Sequence, residues 1–336
     1  MLYTYKPISH DFYKLQTYIE HLVLDVWCKP KGNFSIGKLH SEFQPMVIAE
    51  KKLLRTPIQQ IYRICNGLEK KHLAKLKMGF KNNNAIKELC TGAKTPMLYD
   101  AIAKIDKPLR VKLESFFKLL YKELLKKAAF KNVCGDIKGY YDDFLKTNCA
   151  EKCPFCGISD IMSHRLTKRD AFDHYLPKDV YPFNSVNPNN LAPICKTCNT
   201  SYKLTQDPIN TKTKIGRRAF YPFASKKPKL NIKIKVTGVI KNLKPNEVEL
   251  KITNSHYKEE IDTWMELFGI KERYVDKICS EDAKFWFDTI IAMGVNRRTN
   301  DRVFQSKLEL FRNNEIANDN FLKIPYYIAC REAGLI

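Results

Sequence analysis

Four cysteines stand in two Cys-x-x-Cys pairs, Cys153/Cys156 and Cys195/Cys198, and between the pairs lies an Asp-His dipeptide, Asp173 and His174. Asn199 directly follows the last cysteine. Four thiolates in two close pairs suit a closed tetrahedral zinc site with Zn–S distances of about 2.3 Å; such a site leaves no place for water and is structural. The other residues handle protons and hard cations. An imidazole titrates where it can take a proton from water, while a carboxylate and a carboxamide oxygen suit Mg2+ or Mn2+, which keeps several waters. Phosphodiester hydrolysis requires both abilities, because the attacking water loses a proton while charge builds on the phosphoryl and leaving oxygens.

In order along the chain, Cys153-x-x-Cys156-Gly157, Asp173-His174-x-x-Pro177, Asn190-Leu191 and Cys195-x-x-Cys198-Asn199 resemble the zinc-stapled HNH endonucleases, with their ββα-metal fold. Either cysteine pair alone would be weak; the combination is specific, although it occupies only residues 153–203 of 336. The resemblance implies that His174 is the general base and that Asp173 and Asn199 hold the catalytic Mg2+ or Mn2+. It further implies that Asn190 holds the loop and orients the base, and that the four cysteines carry a structural zinc. Lys203 matches the helix lysine that contacts phosphate, but it comes four residues after Asn199 where family members often have three. The implied activity is hydrolysis of DNA to 5′-phosphate and 3′-hydroxyl ends. One such site cuts one strand, so a double-strand break would need a homodimer, sequential nicking or a partner subunit. Members with this layout often serve in restriction or anti-phage defence, which is an analogy only.

Neighbouring residues of a regular strand face opposite ways, so Asp173 and His174 are expected at a strand end or irregularity ahead of Pro177. His164 is a second candidate for touching phosphate or metal, and Cys134 and Cys149 are substitutes for a zinc ligand. Arg217 and Arg218 are candidate backbone contacts. The rival reading is a zinc-stabilised nucleic-acid-binding protein that does not cut.

The elements that must position these residues give an α+β, mainly helical fold. Apolar residues recur at helical spacing over 9–27, 58–76, 108–130, 274–293 and 302–311, with Pro108 suited to a first turn. Gly79 and the Asn82-Asn83-Asn84 run are expected to break the chain. Ile158–Thr167 and Ala171–Leu176 are expected as two short strands ahead of a helix carrying Asn199 and Lys203. Alternation at Leu230–Val236 and Val248–Ile252 across Lys244-Pro245-Asn246 predicts a hairpin, and Lys212–Arg218 a basic linker or arm. The expected units are a helical lobe over 1–145, the nuclease core over 146–210, and a hairpin-plus-helices lobe over 211–336.

Composition sets the context. Lys plus Arg number 58 against 36 Asp plus Glu, a formal net charge of +22. That excess attracts polyanions, DNA foremost and RNA second. No segment approaches the run of about 18 apolar residues that a membrane span needs, and the first residues lack a secretory apolar stretch. Eleven cysteines, an odd number, fit a reducing compartment. A soluble, cytoplasmic protein is expected, with Cys28, Cys65, Cys90, Cys279 and Cys330 as small core hydrophobes.

Overall fold

The computed structural model describes residues 1–211 and 216–336, so Lys212–Ile215 of the expected basic arm lie outside the described residues. The fold is mainly helical α+β with two small antiparallel sheets.

The helix Phe12–His21 buries Phe12, Leu15, Tyr18 and Ile19, the positions its periodicity marks, and runs on through a wider turn at Leu22–Trp27. The helix Lys107–Lys122 begins where Asp106 accepts a hydrogen bond from the Leu109 amide at 2.6 Å, with Pro108 in the first turn. It buries Leu109, Leu113, Phe116, Phe117 and Leu120. It also stops earlier than expected, and a separate helix, Ala128–Cys134, follows a turn. The segment expected as one helix over 58–76 is two, Thr56–Asn66 and Lys70–Asn83. Gly79 lies inside the second rather than breaking it, and Met97 packs where a Cβ would be.

At the centre, strand β1 (Phe172–His174) pairs antiparallel with β2 (Leu191–Pro193), placing Asp173 opposite Ala192 and His174 opposite Leu191. The helical turn Cys198–Lys203 follows, so the order strand, strand, helix stands. β1 falls inside the second expected strand, Ala171–Leu176, whereas β2 was not expected as a strand and the expected first strand, Ile158–Thr167, does not form. Residues 158–167 form bends and turns, apart from an isolated Lys152–Asp160 bridge, and most of that polar stretch is solvent-accessible. Ile161 is its one buried side chain, too small a face to hold a strand register.

Beyond the core, β3 (Asn231–Val236) and β4 (Val248–Thr253) form the expected hairpin, with Ile234, Val236, Val248, Leu250 and Ile252 buried. Helices Lys258–Phe268, Ile270–Ile278, Glu281–Ala292, Asp301–Arg312 and Asn320–Glu332 complete the chain. Segments from both ends grip the centre. The Leu2 amide donates to Pro154 O and the Tyr5 hydroxyl to Pro193 O, while the Trp264 indole donates to Phe155 O and the Tyr274 hydroxyl to Cys156 O. Among the described residues no helix is long and apolar enough to cross a membrane.

Candidate metal centre and acid-base site

Cys153, Cys156, Cys195 and Cys198 bring their sulfurs within 4.8 Å of one another, all four side chains buried. A tetrahedron with bonds of about 2.3 Å has sulfurs about 3.8 Å apart, and Cys156 and Cys195 stand at 4.0 Å. The donor set and spacing are compatible with zinc. Burial drives the Cys153 thiol well above its usual range, while neighbouring cysteines hold Cys156 well below it. Gly157 closes the first pair at φ 75°, a conformation that favours glycine, and Leu2 and Phe321 fill the space a Cβ would take. The Cys198 amide donates to Cys195 Sγ at 3.4 Å. From the C-terminal part, Arg273 donates to Cys198 Sγ at 3.2 Å and to Ser159 Oγ at 3.3 Å, its guanidinium lying over the Tyr202 ring. Four thiolates outweigh the charge of a divalent ion, and Arg273 offsets part of the excess. Cys134 and Cys149 lie outside this cluster.

The second centre is built on β1. The two side chains leave the strand on separate errands, as its alternation requires. Asp173 Oδ1 accepts from Lys203 Nζ at 3.0 Å, and the same ammonium donates to the His174 carbonyl at 3.1 Å. Asp173 Oδ2 is buried with no hydrogen-bond partner. Burial raises the Asp173 pKa, and Lys203 opposes the rise. An orphaned, buried carboxylate oxygen is what a hard cation satisfies. Asn199 is half-buried one turn before Lys203 on the same helix. Of the two expected placements it is the strand end that occurs, because β1 stops at His174 while both residues pair regularly with β2.

His174 keeps 8% of its surface exposed, and its Nε2 lies 2.8 Å from Ser185 O. A carbonyl oxygen only accepts, so Nε2 carries the proton and Nδ1 keeps its lone pair in the neutral ring. Burial, helped by the nearby Lys178 charge, pushes the His174 pKa down to about 3. The ring is therefore neutral at neutral pH, with the Nδ1 lone pair unprotonated. The Tyr121 ring from helix Lys107–Lys122 stands edge-on to it, with centroids 4.3 Å apart.

The loop that carries Ser185 is clamped at several points. Asn190, fully buried, accepts from the Leu176 amide at 2.8 Å and donates to the Leu176 carbonyl at 3.0 Å, tying the two ends of the loop together. The Ser185 hydroxyl donates to Phe117 O at 2.7 Å. Phe183 holds φ 81°, strained for a bulky residue, wedged between Phe80 and Phe117. Asn83 donates to Met97 O and Pro182 O, and Asn187 donates to Asn84 O. The Asn82-Asn83-Asn84 run ends the helix Lys70–Asn83, the break expected there, and Asn83 and Asn84 also grip the loop that positions His174. Three adjacent carboxamides at a helix end were the available signal.

No family model matches the chain, and no solved structure matches it. A stretch of 64 residues is 44% identical to Protein ea31 of Escherichia phage lambda, covering 19% of this chain and 19% of that protein. The chain thus matches about a fifth of that relative's length, and the likeness is local.

Other expected contacts are redistributed. Lys203 is 1% exposed, so its ammonium holds Asp173 and the strand rather than a phosphate at the surface. Arg217 is buried, donating to Pro208 O and Asp207 O and pairing with Glu266 at 2.7 Å, which makes it a bracket for the chain after the core. Arg218 is exposed. His164 lines a separate groove with Cys149, Asp160 and Arg165.

Proposed function

We propose that this chain is a metal-dependent endonuclease of the HNH type that hydrolyses phosphodiester bonds in DNA. The observation that carries the reading is the state of His174: a buried, neutral ring whose Nε2–H is committed to Ser185 O, leaving Nδ1 as a base. The orphaned Asp173 Oδ2 lies on the adjacent residue, and the thiolate cluster anchors the start of the helix that carries Asn199 and Lys203.

In this reading His174 Nδ1 takes the proton of the attacking water. The Ser185 carbonyl fixes the tautomer, Asn190 fixes the loop that carries Ser185, and Lys203 holds the Asp173 carboxylate by one oxygen so that the other is available. A divalent cation bound by Asp173 and Asn199 would supply charge neutralisation at the phosphoryl and leaving oxygens. The net charge of +22 favours a nucleic-acid substrate. The local likeness to a phage protein makes a role in conflict between phage and host a natural setting.

The test is incubation of zinc-loaded protein with supercoiled plasmid in Mg2+ or Mn2+, followed by end mapping. Nicked circles with 5′-phosphate and 3′-hydroxyl ends are expected. Retardation of the plasmid without cleavage under both cations would favour the non-cutting binder.

A further inference from the structure

Resting on the endonuclease reading, we propose that Lys178 supplies the phosphate contact at this site, binding a non-bridging oxygen of the scissile phosphodiester beside His174. Three lysines surround the acid-base centre, and their partners separate them. Lys203 is sealed, with donors on Asp173 and on the His174 carbonyl. Lys118 is shared between Glu114 at 2.8 Å and Asp179 at 2.9 Å. Among the described residues the one ion pair of Lys178 is with Asp179, at 3.8 Å, and that carboxylate is 44% exposed. A pair so long and so open to water holds an ammonium weakly.

Lys178 is nevertheless well placed. It follows Pro177 at the exit of the Asp-His strand, and its ammonium lies 6.0 Å from the centroid of the Tyr121 ring, the ring that stands edge-on to His174. Its side chain is 19% exposed, open enough to meet a ligand and enclosed enough to keep its direction. Its charge is also felt by both His174 and Asp173. An arriving phosphate would replace the weak Asp179 contact with a charge-assisted one. Lys122, exposed on the neighbouring helix and close enough to act on Asp179, extends the same cationic lip.

Single-turnover nicking in Mg2+ should be compared for wild type, Lys178→Gln, Lys178→Arg and Lys75→Gln, the last removing one charge from an exposed site on helix Lys70–Asn83. Lys178→Gln is expected to lower kcat/KM on the order of a hundredfold and to reduce the salt slope of binding by about one. Lys178→Arg should restore most of the rate. Zinc content and melting temperature should match wild type in all variants, because Lys178 is not part of the core. Wild-type activity with Lys178→Gln indistinguishable from Lys75→Gln would overturn the assignment and leave the endonuclease reading standing. A wild type that cuts under neither cation would bring down that reading and this assignment with it.

Discussion

Lys203 illustrates what a residue's type and spacing convey and what they leave open. A lysine four residues after Asn199 reads the same in sequence whether it faces a phosphate or a carboxylate. Only the fold reveals that it is sealed against Asp173, each side chain at most 5% exposed. Removing one partner of a buried pair strands the other charge, so Lys203→Met should destabilise the protein by about 3–5 kcal/mol. Urea titration of zinc-loaded protein measures this, and a loss no larger than that of Lys75→Met would mean the pair carries little. By contrast, the four cysteines and the Asp-His dipeptide were legible directly. Few arrangements other than a metal site use four cysteines in two such pairs, and the structure gathers their sulfurs as that pattern requires. The free nitrogen of His174 was not legible, because it depends on the Ser185 carbonyl, set by loop closure and not by any motif.

Elements with strong local periodicity were read well and those defined by distant pairing were not. The apolar stripe of Lys107–Lys122 and the alternation of β3 and β4 each specify their own buried face. Strand β1 falls inside the expected strand Ala171–Leu176, but its partner β2 lies beyond the loop 175–190, and three residues carry too little pattern to announce that partner. The four-cysteine cluster brings the segment before β1 against the helix after β2, where a shared metal ion would compensate for such short strands. Cys153→Ser is therefore expected to lose zinc and unfold the core cooperatively, since a structural zinc contributes folding energy directly. Metal analysis and near-UV circular dichroism check this. Full zinc content with an unchanged melting curve would show that the ligand set is different.

Across the whole molecule, the notable feature is how far the supports of the central site are scattered in sequence: Tyr121 and Asn83 come from before it, Arg273 and Trp264 from after it. Composition gave the cationic character but not these docking contacts, which join residues more than a hundred positions apart, as with Trp264 and Phe155. Arg273 donates to Cys198 Sγ from the helix Ile270–Ile278, so Arg273→Gln should weaken zinc binding about 10- to 100-fold and loosen that helix from the core. Competition with a chromogenic chelator, with limited proteolysis alongside, reads both effects; unchanged zinc affinity would confine Arg273 to packing. The most direct check on the account as a whole is the single-turnover nicking rate of His174→Ala against wild type, at matched zinc content and DNA affinity. The expected result is a fall of about 10²- to 10⁴-fold with binding intact, and a His174→Ala protein that cuts as fast as wild type would contradict it.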